Sequence, residues 1–561
     1  MHKAIDCLIV GHNEMDFREY EKAVRQMGTN SGAYRDLNLN FLRYNNKPYQ
    51  PAEVFNLFCA DDRDAKITIK PIDMLDTFSA TIAYLGTYLD RRGFTFDYIH
   101  SFQEEKAEFR EKLMRGNILT IAITTTLYVA VLPILEIINF IREYNHTVRI
   151  IVGGPFVSTQ ARLLDKSQLE YLFKSTIGAD FYVNSHQGEA ALAQIINALK
   201  NNMPLENIAN IYYKTDKSYV STSVSKESNK ITDNMVNWHL FSDKPRAQVM
   251  VRTSMSCPFS CAFCGYPEHA GSYQVADISA VERELDSLAR IGSVRSVYFI
   301  DDTFNIPTDR FKKILRMLLK NRYDFKWHSY FRCQFADSEM VELMKESGCE
   351  GVFLGIESGN NHMLQNMNKA ARVEKYLEGI ALLKEYDIVT HGNFIIGFPG
   401  ETRETVRDTV EFIEASGLDF FRAQLWFCEA VTPIWKERGK YNIEGERFEW
   451  RHTTMDSRAA AELIDDIFLS VKKPLWLPQY NFNFDSIWHL IHQGLSLEMV
   501  KNFLQAFNRG IQEKLTGKSR GEVSYEVICR LKNFHRTGTH PDGISESSKN
   551  ISNHADAEFS F

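Results

Sequence analysis

Short apolar runs alternate with amphipathic stretches twice along this chain, and that doubled pattern restricts its fold more than any other feature. Within residues 1–200 the apolar runs fall at 4–10, 96–100, 118–125, 149–152 and 179–183. Between them, 79–92, 104–114, 129–144 and 189–199 carry apolar residues at helical spacing. Strands separated by helices pair in parallel, because each crossover helix brings the chain back to the same end of the sheet. A doubly wound α/β sheet follows. Ligands of such sheets lie beyond the carboxyl ends of the strands. Those ends carry Gly11, Thr124, Thr125, Thr126, Gly153, Gly154, Gly188 and Glu189.

The second alternation starts at Gln248. Strands are expected at 248–253, 296–301, 326–331, 351–356, 391–396 and 421–427, and helices between them at 278–291, 309–319, 338–345 and 402–416. Six βα units imply an open, partial TIM-like (β/α)6 barrel whose site lies at the strand carboxyl ends. The expected domains are a sheet domain at 1–200 with an insertion near 11–75, a polar connector at 201–245, and the barrel at 246–430. A helical C-terminal domain at 431–535 and a disordered tail at 536–561 complete the chain.

Composition narrows the partners. At 561 residues the chain is too long for one core. With 44% hydrophobic and 24% charged residues it has the balance of a globular enzyme, and a net charge of -7 argues against a nucleic-acid partner. The N-terminus lacks the build of a signal peptide. Residues 118–141 are apolar but contain Pro133 and Glu136, so they read as a strand and a helix rather than a membrane span. A cytoplasmic protein is expected.

Three of the nine cysteines fall between Cys257 and Cys264, in a C-x3-C-x2-C spacing directly after the first barrel strand. Thiolates suit iron–sulfur clusters or zinc, and no fourth ligand follows at zinc-finger spacing. Three free cysteines in a turn is the plain alternative.

A strand, then C-x3-C-x-aromatic-C, then six barrel units resembles the radical SAM superfamily. The resemblance implies that Cys257, Cys261 and Cys264 hold a [4Fe-4S] cluster. Its open iron would chelate S-adenosylmethionine (SAM), and Phe263 would lie beside the adenine. Asp302, after the second strand, resembles the rim that receives the SAM amino group. Glu357 and Ser358, within Gly355-Ile-Glu-Ser-Gly359, resemble the ribose-contacting segment. Gly397 and Gly400, within Gly392-Asn-Phe-Ile-Ile-Gly397-Phe-Pro-Gly400-Glu401-Thr402, match the glycine-rich adenine-side motif. Arg332 is the candidate partner of the SAM carboxylate. Taken singly, these residues also have plain roles as helix N-terminal acids, turn glycines and a surface ion pair.

A Rossmann-like sheet with a Gly153-Gly154-Pro155 turn, ahead of such a barrel, resembles a cobalamin-binding domain. That implies that Thr124, Thr125, Thr126, Gly153, Gly154, Gly188 and Glu189 surround the corrin and its nucleotide tail. The D-x-H-x-x-G motif that supplies a histidine to cobalt elsewhere is absent, since position 10 is Val. His12 is therefore expected as a polar loop residue and the lower cobalt face without a histidine. Gly11-His-Asn-Glu-Met-Asp-Phe17, Gly32-Ala-Tyr-Arg-Asp-Leu-Asn38 and Trp450-Arg-His452-Thr-Thr-Met455 resemble the P-methyltransferase subfamily of phosphinothricin-type biosynthesis.

Together these resemblances imply a cobalamin-dependent radical SAM methyltransferase. It would act on an unactivated carbon or a phosphinate phosphorus of a small-molecule or peptide intermediate, with flavodoxin or ferredoxin as electron donor. Cys428, after the sixth strand, is a candidate hydrogen donor or else a core cysteine. The rival functions are a cobalamin-assisted cyclase or rearrangement enzyme and a non-catalytic corrinoid or iron–sulfur carrier. The insertion and the helical C-terminal region are expected to cover the barrel mouth.

Overall fold

In the computed structural model, which describes residues 4–59, 69–72, 77–128, 130–242, 246–518 and 521–535, the first strand is Ile5–His12. Its Cys7 and Ile9 enter one core and its Leu8 and Val10 another, so both faces are buried and the polar alternation disappears. Phe96–Ser101 and Ile118–Thr124 flank it in parallel, and Arg149–Gly153 and Phe181–Val183 continue the sheet. Ile211–Lys214 and Tyr219–Ser221, from the stretch expected to be a connector, add two antiparallel strands and bring the sheet to seven. The Tyr219 hydroxyl anchors this hairpin by donating to the Ala179 carbonyl. The apolar stretch after 118 divides into the strand Ile118–Thr124 and the helix Leu132–Tyr144. Among the described residues no helix is long and apolar enough to cross a membrane. The tail expected from 536 lies outside the described residues.

The barrel strands are Gln248–Val251, Ser296–Phe299, Lys326–Phe331, Cys349–Glu357, Val389–Ile396 and Phe420–Leu425, each parallel to the next. Thr77–Phe78 and Leu475–Trp476 extend the two edges, giving eight strands where six were expected. Two residues are too few for either addition to show a period. Tyr298, His328, Tyr330 and Phe353 pack ring against ring, Tyr298 stacked on His328 and Tyr330 edge-on to Phe353. Phe484 and Trp488 of the helix Phe484–His492 close that cluster, where Gly351 has no side chain to obstruct them. Outer helices stop where the chain must turn back: Ile278–Ile291 at Gly292 and Arg403–Ser416 at Gly417, both left-handed.

The insertion near the N-terminus folds over the last helices. Phe17–Gln26 and Gly32–Asn38 are its first helices. Arg35 meets Asp465 of Ser457–Ser470 at 2.6 Å, and Lys514 Nζ donates to the Phe41 carbonyl at 2.7 Å. The α/β arrangement of a Rossmann-like sheet, a partial barrel and a helical C-terminal region is thus present, with the insertion fastened to the C-terminal helices.

Candidate active site: two adjoining cavities

The loop after the first barrel strand brings Cys257, Cys261 and Cys264 into one cavity of about 170 Å³, together with Phe263, Asp302, Arg332 and Glu357. The positions of these residues follow from the strand ends around them. Arg332 is only 7% exposed, so it is no surface ion pair. Asn305 fixes its backbone, accepting from its N–H and donating to its carbonyl, each at 3.0 Å. Its guanidinium lies 3.6 Å from the Phe259 ring centre, 3.4 Å from Cys261 Sγ, and donates to the Lys369 carbonyl at 3.2 Å.

Glu357 ends the fourth strand at φ 69°, a left-handed position that interrupts the strand register. Its carboxylate accepts from Lys369 Nζ at 2.7 Å, with both side chains under a tenth exposed. Lys369 in turn stands 5.5 Å from the Phe263 ring centre. Burial pushes the Asp302 carboxyl up to about 7, and neighbouring Asp301 adds to the effect. The Tyr266 phenol donates to Asp302 and opposes the shift. Asp301 itself is structural: one carboxylate oxygen accepts from the Thr253 and Ser254 amides, both at 2.7 Å.

Burial raises the Cys257 and Cys264 thiols as well, Cys264 to about 11, so metal uptake there would have to displace protons. Among the described residues no three His, Cys, Asp or Glu side chains form a group suited to a single metal ion. A multi-iron cluster has a different requirement, because each thiolate takes a different iron. Three thiols around one cavity, with a cation beside one sulfur, fit that requirement.

A larger cavity of about 520 Å³ opens beyond the carboxyl ends of the first sheet. Thr124, Thr126, Gly153, Gly154, Gly188 and Glu189 line it from that sheet, and Arg252, Tyr266 and His269 from the barrel. Glu189 begins the helix Glu189–Asn201, and burial brings its carboxyl up to about 7 although Arg252 pulls the other way. Thr125 departs from expectation. Its hydroxyl donates to the Gly153 carbonyl at 2.9 Å, and a Cβ on Gly154 would stand 2.8 Å from Thr125 Oγ1, so Thr125 braces the turn instead of lining the cavity. Gly11 is likewise a packing residue, since a Cβ there would meet the His100 carbonyl at 2.4 Å. His12 stacks on Tyr128 at 5.9 Å and lies outside the lining of this cavity.

Four further candidates line neither cavity. The Ser358 hydroxyl accepts from the Asn360 amide at 3.2 Å and lies 3.4 Å from the Thr409 hydroxyl. Gly397 and Gly400 take positive φ, and a Cβ on Gly397 would meet Trp450 at 2.4 Å. That turn is held from both sides: Glu401 accepts from the Gly397 amide, and His452 Nε2 lies 3.0 Å from the Gly397 carbonyl. Cys428 Sγ faces the Gly445 carbonyl at 3.9 Å, and burial pushes its thiol up to about 12, which suits a core cysteine.

Sequence reasoning missed Tyr266, which lines both cavities, and Phe259 and Lys369, which line the smaller. Tyr266 lies two residues past Cys264, so its place in the same loop was the available signal. Lys369 had none, because its partner Glu357 comes from a different element.

Residues 251–413 match the Radical SAM superfamily. An "uncharacterized methyltransferase" of Pyrococcus horikoshii is 25% identical over 56% of this chain and 68% of its own length. The anaerobic magnesium-protoporphyrin IX monomethyl ester cyclase of Cereibacter sphaeroides is 23% identical over 64% of this chain, which spans only 60% of that enzyme. Among solved structures, the cobalamin-dependent SAM radical enzyme OxsB, with aqua-cobalamin and SAM bound, aligns with a TM-score of 0.58 at 15% identity, over 82% of this chain and 76% of its own. TsrM of Kitasatospora setae, with cobalamin and a [4Fe-4S] cluster bound, aligns at 0.54 and 18% identity, over 66% and 73%. The barrel is a Radical SAM domain, and the two-domain fold is shared with these enzymes.

Proposed function

We propose that this chain, whose barrel is a Radical SAM domain, is a cobalamin-dependent methyltransferase. It moves a methyl group from SAM, by way of cobalamin, to an unactivated carbon or phosphinate phosphorus of a specialised-metabolite intermediate. The observation that carries this reading is that the three-thiol cavity and the larger cavity share Tyr266 as a wall. A reactant between them would reach both. When bound, the cluster and SAM supply a carbon-centred radical, and cobalamin supplies the carried methyl group.

The chain's own residues position these partners and keep water out. Cys257, Cys261 and Cys264 would hold the cluster, and buried Arg332 would offer its guanidinium to the SAM carboxylate. Glu357, fixed by Lys369, would hold the ribose hydroxyls, and Asp302 and Phe263 would take the amino group and adenine. Thr124, Thr126, Gly153, Gly154, Gly188 and Glu189 leave room for a corrin and its tail. We assign the chain to the cytoplasm, with a flavodoxin or ferredoxin as electron source and a small molecule or peptide as substrate.

Anaerobic reconstitution tests the reading. Iron and cobalt should both be retained, with the optical bands of a [4Fe-4S] cluster and a corrinoid. With trideuteromethyl-SAM, the product should gain the label. Similarity to the anaerobic cyclases favours a second reading, ring closure or rearrangement without methyl transfer. A product of altered mass but no deuterated methyl would establish that one. Failure to cleave SAM under reductant would leave only a carrier role.

A further inference from the structure

A third cavity, of about 310 Å³, lies on the barrel beside the sixth strand, lined among others by Asp36, Arg422, Gln424, Phe427, Phe448 and Tyr480. Its position relative to the three-thiol cavity follows from register. Gly355 pairs with Asn393, and Asn393 with Arg422. Neighbouring strands lie about 4.8 Å apart, so Arg422 is rooted about 10 Å from Gly355, a wall of the thiol cavity. Gln479 links the row, donating to Asn393 Oδ1 at 3.5 Å and accepting from Gln424.

Arg422 is the unusual member. It is 1% exposed. One terminal nitrogen donates to Asn40 Oδ1 at 2.7 Å, the other lies 3.4 Å from Asp36 Oδ1, and the guanidinium stands 4.6 Å from the Trp476 ring centre. Its Nε is buried without a partner among the described residues. A guanidinium cannot shed its charge, and a buried donor left unmade is costly. Burial raises the Asp36 carboxyl above its usual range, although Arg422 beside it pulls the other way.

We propose that this cavity seats the oxyanion of a small substrate, a carboxylate or phosphinate, on Arg422, with Phe427 and Phe448 against its apolar part. The role in catalysis rests on the methyltransferase reading; anion capture does not, and it is measured without turnover. The test is equilibrium dialysis of benzoate, phenylphosphinate and neutral benzamide against the reconstituted full chain. Both anions should bind at least ~10-fold tighter than benzamide. The tighter of the two identifies the oxyanion. Arg422→Lys keeps the charge but lacks Nε, and should weaken both anions by about 10-fold. Phe448→Trp narrows the cavity while leaving every polar contact, and should weaken them too; it decides the matter if Arg422→Lys does not fold. Equal binding of benzamide, or anion binding unchanged in folded variants, would overturn the proposal. SAM cleavage on the same samples separates the readings. Its loss with anion binding intact counts against the function, and the reverse counts against this site.

Discussion

The two adjoining cavities are built by opposite means. On the side of the first sheet, the larger is walled by glycines and loop hydroxyls at strand ends, where missing side chains make the room and a braced turn keeps it open. The smaller is walled by charge: Arg332 clamped by Asn305, Glu357 locked to Lys369, and Asp302 held by Tyr266. A bulky ligand needs shape, whereas a zwitterionic one needs fixed charges in a dry place. On the proposed function the chain would recognise its two cofactors by different physics, and substitutions should separate them.

The largest effect is expected for Cys261→Ala. Iron content and 5′-deoxyadenosine formation should fall by at least about 100-fold, since one iron loses its thiolate. Cobalamin uptake should stay at the wild-type level. If cobalt is lost with iron, the cavities are not independent. The converse comes from Thr126→Trp, an exposed loop position lining the larger cavity. The indole should fill that space and weaken cobalamin binding about 10-fold, while SAM cleavage without substrate changes by less than ~2-fold.

Glu357→Gln is expected to act more narrowly, raising the KM for SAM about 10-fold by removing a charged acceptor. It also strands a buried Lys369, so the protein should lose stability. The double substitution Glu357→Gln with Lys369→Met removes that burden. Stability should return while SAM affinity does not. Recovery of both would mean that the pair is structural.

How much of this could be read from the amino-acid order differs between the two cavities in the same way. The barrel was legible because its strands are buried and its helices amphipathic; Lys326–Phe331 and Ile278–Ile291 have the expected bounds. The cysteine spacing is local, so the gathering of three thiols in one loop was legible too. Lys369, Arg422 and Asp36 act through partners from other elements, and no periodicity announces such contacts. Thr125 shows the opposite failure. It sits among cavity residues in sequence, yet its amide and hydroxyl both donate to the Gly153 carbonyl and turn it inward. Gly397 and Gly400 matched a ligand-side motif, and in the fold their lack of side chains also makes room for Trp450 and Asn366.

That last turn offers the subtlest test of the charged cavity's frame. Glu401 is fully buried, accepts from the Gly397 amide, and keeps one oxygen without a partner among the described residues. Burial pushes its carboxyl from the usual 4.5 up to about 8. A raised value in the folded state means that the native turn prefers the protonated acid. Its contribution is fully present below about 4.5 and is lost as pH rises through about 8. Between pH 6 and 8 the native turn should therefore weaken by about 2 kcal/mol. Hydrogen exchange of the 394–402 segment, corrected for intrinsic rates, should show protection dropping ~10-fold or more across that window. Glu401→Gln carries no titrating proton and should show a flat profile, overtaking the wild type near pH 8. Parallel profiles for the two proteins would mean that the carboxyl is ionised in the folded chain, and the turn would then owe its order to Trp450 and His452 alone.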